Sequence, residues 1–364
     1  MCQRKKNSKI SNVLVVLLAV TVFCASYSIS WYYLYSSETP PLKLKEAKES
    51  DSVGRSNTTS TKASRKFHVA LTAMSSTYSQ WQSRIAYYTY KKVKDMPKSE
   101  MGEFTRILHS GEPDDLMDEI PTFIVHQLPE GRDREYPPLI RPWAFLQWLE
   151  LVQIEEEYIM MIEPDHIFVK PVPNFAFGDI PVAYKFFYMK PKEEEAVLRK
   201  FYPVEKGPIT DIDPIGNSPV IIKKHLLKKM CSTWMTMAMK MKDDPECDKS
   251  LGWVLEMYAY GIAAALHGVR HILMKDLMVQ PPVDKKLGKA YIIHFTYAMD
   301  YSLKGKRMKR GVAGEWRFDK RSYLDNPPPK NLSMPPRGVP ETVVAVVETI
   351  NHVSSTLPHW DLLP

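Results

Sequence analysis

The residues best able to do chemistry lie in one stretch, Tyr158-Ile159-Met160-Met161-Ile162-Glu163-Pro164-Asp165-His166-Ile167-Phe168-Val169. Two carboxylates and an imidazole separate two short apolar runs, and bounded apolar runs of this length read as buried strands. Charge is costly to bury unless compensated, and a divalent cation compensates a carboxylate cluster. Pro164 fixes its own φ and restricts Glu163 before it, so the turn is stiff. Ligands of open α/β sheets bind at the carboxyl ends of strands. A metal held there would be placed to grip the diphosphate of a sugar nucleotide. The plainer alternative is a strand-terminal turn whose acids face solvent. A single acidic turn is a weak motif, so both readings stand.

Four further places carry candidate chemistry. His294 interrupts the apolar run Ala290–Tyr297; it is either a satisfied structural histidine or a distant metal ligand, imidazole being common in both roles. A hard ion such as Mn²⁺ accepts mixed oxygen and nitrogen ligands. Glu256 is the one acid in the apolar stretch Leu251–Gly268, so it pairs with a buried cation or faces a cleft. Asp213 belongs to a polar turn, Thr210–Pro219, ahead of Val220-Ile221-Ile222; that turn is a plain connection or an acceptor-side loop. Gly314–Tyr323 mixes aromatics with bases and follows Lys304, Lys306 and Arg307. It reads as a diphosphate clamp or lid, or as a solvated basic face.

Positioning such groups requires a sheet. Phe67–Thr72 reads as a first buried strand, followed by the small-residue loop Ala73–Ser79 and helical Gln80–Tyr88, the opening of a nucleotide-binding βαβ unit. Helix N-termini favour anions, so this loop is a nucleotide-facing edge, although no GxGxxG or P-loop is present. Further strands are expected at Phe104–Leu108, Thr122–Val125, Val182–Phe187 and Ala290–Tyr297. Helices are expected at Arg141–Leu149, Glu193–Tyr202, Leu226–Lys242, Leu251–Gly268 and Thr342–Val353. Met235, Met237, Met239 and Met241 alternate and make no helical stripe, so they are gap-filling residues. The alternation predicts an α/β fold with a mostly parallel central sheet flanked by helices.

The 364 residues have room for one large or two modest domains. The net charge of +7 is partly in the N-terminal tail and otherwise dispersed, so there is no nucleic-acid footprint. Val13 to Tyr35 carries no charge, is long enough to span a bilayer and ends in Trp31, Tyr32, Tyr33 and Tyr35. Basic residues precede it, which puts the tail in the cytosol and the remainder in the lumen; a cleaved signal peptide is the competing reading. The predicted organisation is a cytosolic tail over 1–12, a transmembrane signal-anchor over 13–35, a flexible stalk over 36–66 and a catalytic domain over 67–364. Cys231 and Cys247 would meet the lumen, paired or as separate thiols. Asn57-Thr58-Thr59 and Asn331-Leu332-Ser333 are glycosylation sequons.

Seven ordered segments resemble the plant hydroxyproline O-arabinosyltransferases: Ala70–Ala73, Tyr78–Gln82, Arg141–Phe145, Glu163–His166, Asp213–Pro219, Gly252–Tyr258 and Gly314–Arg321. The resemblance implies a Golgi type II single-pass membrane enzyme with a GT-A-like glycosyltransferase fold. It implies transfer of L-arabinofuranose from UDP-β-L-arabinofuranose to hydroxyproline in secreted signalling peptides and extensin-type wall glycoproteins, with Mn²⁺ as cofactor. Donor and product are both β-linked, so the implied transfer is retaining. By the same resemblance Asp165, then His294, with Glu163, would bind the metal, and Glu256 and Asp213 would serve catalysis. Thr72, Gln80, Trp81, Arg84, Arg141, Trp143, Trp316, Arg317 and Lys320 would bind substrate. Three departures stand out: Ser75 where the family commonly has an acid, Val283 where tryptophan is common, and Ser83 for a frequent cysteine. The rival functions are a peptidyl-serine galactosyltransferase and a non-catalytic Golgi peptide-binding or scaffold protein.

Overall fold

A computed structural model of the chain describes residues 65–129, 131 and 136–362. The expected tail 1–12, span 13–35, the Asn57 sequon and nearly all of the stalk lie outside those residues. Among the described residues no helix is long and apolar enough to cross a membrane. Asn331 is exposed.

Twelve strands are described, in chain order β1 (Phe67–Ala73), β2 (Met101–Leu108), β3 (Thr122–Ile124), β4 (Tyr158–Ile162), β5 (His166–Phe168), β6 (Val182–Ala183), β7 (Val220–Lys223), β8 (Ile272–Leu273), β9 (Met278–Val279), β10 (Ile292–His294), β11 (Met299–Tyr301) and β12 (Trp316–Phe318). The α-helices are α1 (Thr77–Val93), α2 (Ile140–Leu151), α3 (Glu195–Leu198), α4 (Lys224–Asp243), α5 (Pro245–Leu251), α6 (Leu255–Leu266) and α7 (Glu341–Thr356).

The main sheet has the order β3-β2-β1-β4-β7-β6-β8. β1, β2, β3 and β4 run parallel, β7 is antiparallel between β4 and β6, and β8 is parallel to β6, so the sheet is mostly parallel, as expected. β1 is buried along its whole length because it is paired on both sides. Its near-continuous apolar sequence is what a doubly covered parallel strand requires. A three-stranded sheet β5-β10-β9 and a β11-β12 ribbon stand apart from it. The large core lies against the main sheet. A second cluster gathers Trp81, Trp316, Trp360, Phe295 and Ile350 around α7 and the two small sheets.

Several expected elements are shorter than their apolar runs. The strand expected over Val182–Phe187 stops at Ala183, because the next partner along β7 is Pro219, which has no N–H to continue the ladder. The strand around His294 covers only Ile292–His294. The single helix expected over Leu251–Gly268 is broken at Gly252, whose φ of +49° lies in the left-handed region that glycine adopts without penalty. The break separates α5 from a 3₁₀ turn, Gly252–Val254, that enters α6. Cys231 and Cys247 are both buried free thiols and do not pair.

Candidate active site

The acidic turn joins two sheets. β4 ends at Ile162, the chain turns through Glu163-Pro164-Asp165, and β5 begins at His166. β5 then pairs antiparallel with β10, in a register that sets His166 opposite His294. Two imidazoles from distant parts of the chain thus stand beside two carboxylates of one turn. One ligand atom from each of Glu163, Asp165, His166 and His294 lies within 4.8 Å of the others.

His294 Nε2 is 3.0 Å from Asp165 Oδ2 and 3.7 Å from Glu163 Oε2. The two imidazole rings meet edge to face with centroids 4.9 Å apart. His166 Nδ1 accepts from the Glu163 N–H at 3.4 Å, while its Nε2 is buried without a protein partner. Burial, reinforced by His294, holds His166 well below the usual imidazole range, so it is neutral. Burial would push Asp165 upward, but His294 and Lys320 outweigh it and hold the carboxyl well below its ordinary value. Gln280 is fully buried; its Nε2 lies 3.3 Å from His294 Nδ1 and its Oε1 has no partner. A half-turn of that amide lets Oε1 accept from the His294 Nδ1–H and leaves the His294 Nε2 lone pair free for a cation. Carboxylate oxygens, clustered imidazole nitrogens and an adjustable amide together fit a divalent cation.

Two basic side chains complete the electrostatics. Lys320, buried just after β12, pairs with Asp165 Oδ2, and its ammonium lies 5.8 and 5.9 Å from the Tyr78 and Phe295 rings. Arg141, from the first turn of α2, pairs with Glu163 and donates to Glu256 Oε2 at 3.3 Å. Burial alone would lower the Arg141 pKa; Glu163 and Glu256 reverse this and raise it. Glu256 is 1% exposed in the first turn of α6, and its Oε1 has no partner. Burial pushes its carboxyl up to about 7 against the opposing pull of Arg141.

Arg141, Glu163, Asp165, Glu256, His294 and Lys320 line one cleft of about 350 Å³, within the range of small-ligand sites, with His166 and Gln280 buried behind it. The end of β1, at Thr72 and Ala73, and the N-terminal turn of α1, at Ser76, Tyr78 and Ser79, line the same cleft. Ser76 caps α1 by accepting from the Ser79 N–H. A helix N-terminus aimed at a cleft favours anions.

Of the residues expected to act, Thr72, Arg141, Glu163, Asp165, Glu256, His294 and Lys320 reach this cleft. The others do not line it. Trp81 is fully buried in the second core, its Nε1 donating to Tyr323 O at 3.0 Å. Arg84 pairs with Glu119 and donates to Pro358 O, anchoring the C-terminus. Gln80 is buried 3.4 Å from Asp114 Oδ2. All three lie on faces of α1 turned away from the opening, since 3.6 residues per turn leave only part of the helix toward it. Trp143 donates to His126 O at 2.7 Å. Trp316 points into the second core and donates to Ser333 O, while Arg317, its neighbour on the alternating strand, points outward to Asp300 and Asp319. Asp213 pairs with Arg270 and accepts from the His271 N–H at 2.9 Å, a closed structural set.

In the sequence His166 stands out only as the imidazole beside the two carboxylates and Ser76 only as part of the loop Ala73–Ser79, while Gln280 and Trp253 are not singled out as site residues. His166 had a signal, adjacency to Asp165. Gln280 had none, because only the β9–β10 pairing brings it beside His294.

The family model of the hydroxyproline O-arabinosyltransferase N-terminal domain matches residues 67–273, and that of the C-terminal domain matches residues 291–361. The chain is 56% identical to hydroxyproline O-arabinosyltransferase PLENTY of Lotus japonicus, covering 100% of this chain and 99% of the relative. It is 55% identical to hydroxyproline O-arabinosyltransferase RDN1 of Medicago truncatula over the same shares. With peptidyl serine alpha-galactosyltransferase of Arabidopsis thaliana it shares 24% identity, over 71% of this chain and 32% of that one. Among solved structures, mouse xyloside xylosyltransferase 1 matches at TM-score 0.35 and 11% identity, covering 63% of this chain and 97% of that one; a likeness this remote fixes no detail of the site. With both domain models matched in order and more than half of all positions shared with full-length relatives, the chain belongs to the hydroxyproline O-arabinosyltransferase family.

Proposed function

We propose that this glycosyltransferase arabinosylates hydroxyproline, taking L-arabinofuranose from UDP-β-L-arabinofuranose with net retention. The observation that carries the reading is the cluster of Glu163, Asp165, His166 and His294, three of which line a cleft that also holds a buried acid. These four residues would hold Mn²⁺, which when bound supplies Lewis-acid stabilisation of the departing diphosphate. The N-terminal turn of α1 and the Lys320 ammonium add preorganised positive potential on the same side. Glu256 Oε1 stands unpartnered beside Arg141 in the same cleft, where it would hold the acceptor hydroxyl. A GT-A-like arrangement suits this division of a parallel sheet into nucleotide and acceptor sides. The acceptors are secreted hydroxyproline-containing peptides and wall glycoproteins. The uncharged stretch 13–35 behind a basic tail supports a Golgi single-pass type II anchor with the domain in the lumen.

The test is transfer by the full-length chain, given UDP-arabinofuranose, Mn²⁺ and a hydroxyproline peptide. Peptide mass gain of one pentose is the expected result, and Asp165→Asn lowers the rate by roughly 10²–10³-fold. A hexose gained from UDP-galactose would assign the chain to serine galactosylation instead. Peptide binding without transfer from any donor would make it a scaffold.

A further inference from the structure

Trp253 is an anomaly in the cleft. It is 69% exposed, yet it lines the opening that holds Glu256 and the metal-ligand cluster. Leaving an indole in water forgoes the stabilisation that burial would give, so folding does not explain its position. The indole is nevertheless well held. The Tyr136 ring meets it edge-on, with centroids 5.9 Å apart and planes at 84°. The Tyr136 hydroxyl donates to Trp253 O at 2.7 Å and accepts from the Glu256 N–H at 3.0 Å. One phenol therefore ties the backbone of the exposed aromatic to that of the buried acid, and it satisfies an amide that α6 would otherwise leave orphaned at its N-terminus. Exposed Pro137 adds apolar surface beside it on the same rim.

We propose that Trp253 is the platform for the acceptor peptide, and that it reads a polyproline II segment through the prolines or hydroxyprolines flanking the modified residue. The inference rests on the functional reading above and adds to it the shape of the preferred acceptor. A proline-rich chain is preformed as polyproline II, offers ring faces and lacks N–H donors, so aromatic surfaces are what recognise it. The rival occupant of an exposed indole is the donor's uracil. The groups suited to the diphosphate, the N-terminal turn of α1 and Lys320, belong to elements other than the one carrying Trp253. Trp253 precedes Glu256 by three residues, on the wall where an acceptor hydroxyl would lie.

The full-length chain is assayed with two acceptors, a hydroxyproline flanked by prolines and a hydroxyproline flanked by glycine and serine. The unmodified protein shows a KM about tenfold lower for the first. Trp253→Ala raises that KM about tenfold, with the second peptide's KM and the UDP-sugar KM changed by less than about twofold; Trp253→Phe restores most of the preference. Equal KM values for the two peptides in the unmodified protein would overturn the proposal. So would a Trp253→Ala protein whose donor KM rises while its peptide KM is unchanged, since that assigns the indole to the base. Calorimetric titration of both peptides, with no donor present, separates this inference from the functional reading. If no sugar is transferred, a flanking-proline preference that disappears in Trp253→Ala still supports the platform, and equal binding by both proteins overturns it.

Discussion

Glu256 holds its carboxyl where ionisation is costly, and that cost has a sign. Its pKa is raised to about 7 in the fold, with burial the largest cause. Between about pH 4.5 and pH 7 the unfolded chain releases this proton while the folded chain keeps it. The contribution of Glu256 to stability is therefore full below that window and is lost as pH rises through it. Buried His109, His166 and His271 have lowered pKa values and act in the opposite direction over part of the same range. The difference between two proteins isolates the glutamate. Relative to the unmodified chain, Glu256→Gln gains roughly 3 kcal/mol in denaturant unfolding between pH 4 and pH 8. A difference that is flat with pH would mean that folding does not raise the Glu256 pKa.

At the scale of elements, the β11–β12 ribbon delivers Lys320 to the acidic turn. Asp319 accepts from the Arg321 N–H and so caps the 3₁₀ turn on which Lys320 sits. Gly314, just before β12, has no room for a side chain. A Cβ there would stand 2.4 Å from Tyr301 N and 2.6 Å from Trp316 O, both backbone atoms that cannot swing aside. Gly314→Ala therefore forces the ribbon apart and costs about 1–3 kcal/mol of stability. Because Lys320 moves with the ribbon, the KM for the UDP-sugar rises as well. Unchanged melting temperature and donor KM would show that the ribbon does not position the lysine.

For the whole molecule, β1 is the member that cannot be spared. It sits between two parallel neighbours, and the chain ahead of it is tied on through Arg65, which pairs with Glu100 and donates to Ala176 O. If the proposed anchor over 13–35 holds, a chain beginning at Lys62 is expected to fold, melt within a few degrees of the full-length protein and stay in solution after centrifugation, while the full-length protein is expected to sediment with membranes. A chain beginning at Ser76 lacks β1 and does not fold, because the sheet loses pairing on both sides and the core loses several fully buried side chains. A truncated chain starting at Lys62 that still pelleted with membranes would place a membrane contact within the folded domain.

The sequence by itself determined the buried first strand, the βαβ opening, the stiff Glu163-Pro164-Asp165 turn and the apolar setting of Glu256. Each of these is a local pattern: an unbroken apolar run, a proline beside acids, one carboxylate among aliphatics. It also carried the family, through segments spread over the whole domain. The tertiary structure alone decided which side chains share a cleft. Antiparallel register put His166 opposite His294, and pairing of β9 with β10 brought Gln280 behind it. Helix and strand phase turned Trp81, Arg84, Trp316 and Arg317 away, although their types suited a substrate. Trp253 reads in sequence as one more apolar residue of a helix, and only the break at Gly252 leaves it at the rim. Composition and spacing record what a residue can do; the direction it faces depends on partners tens or hundreds of positions away, and those are set when the chain packs.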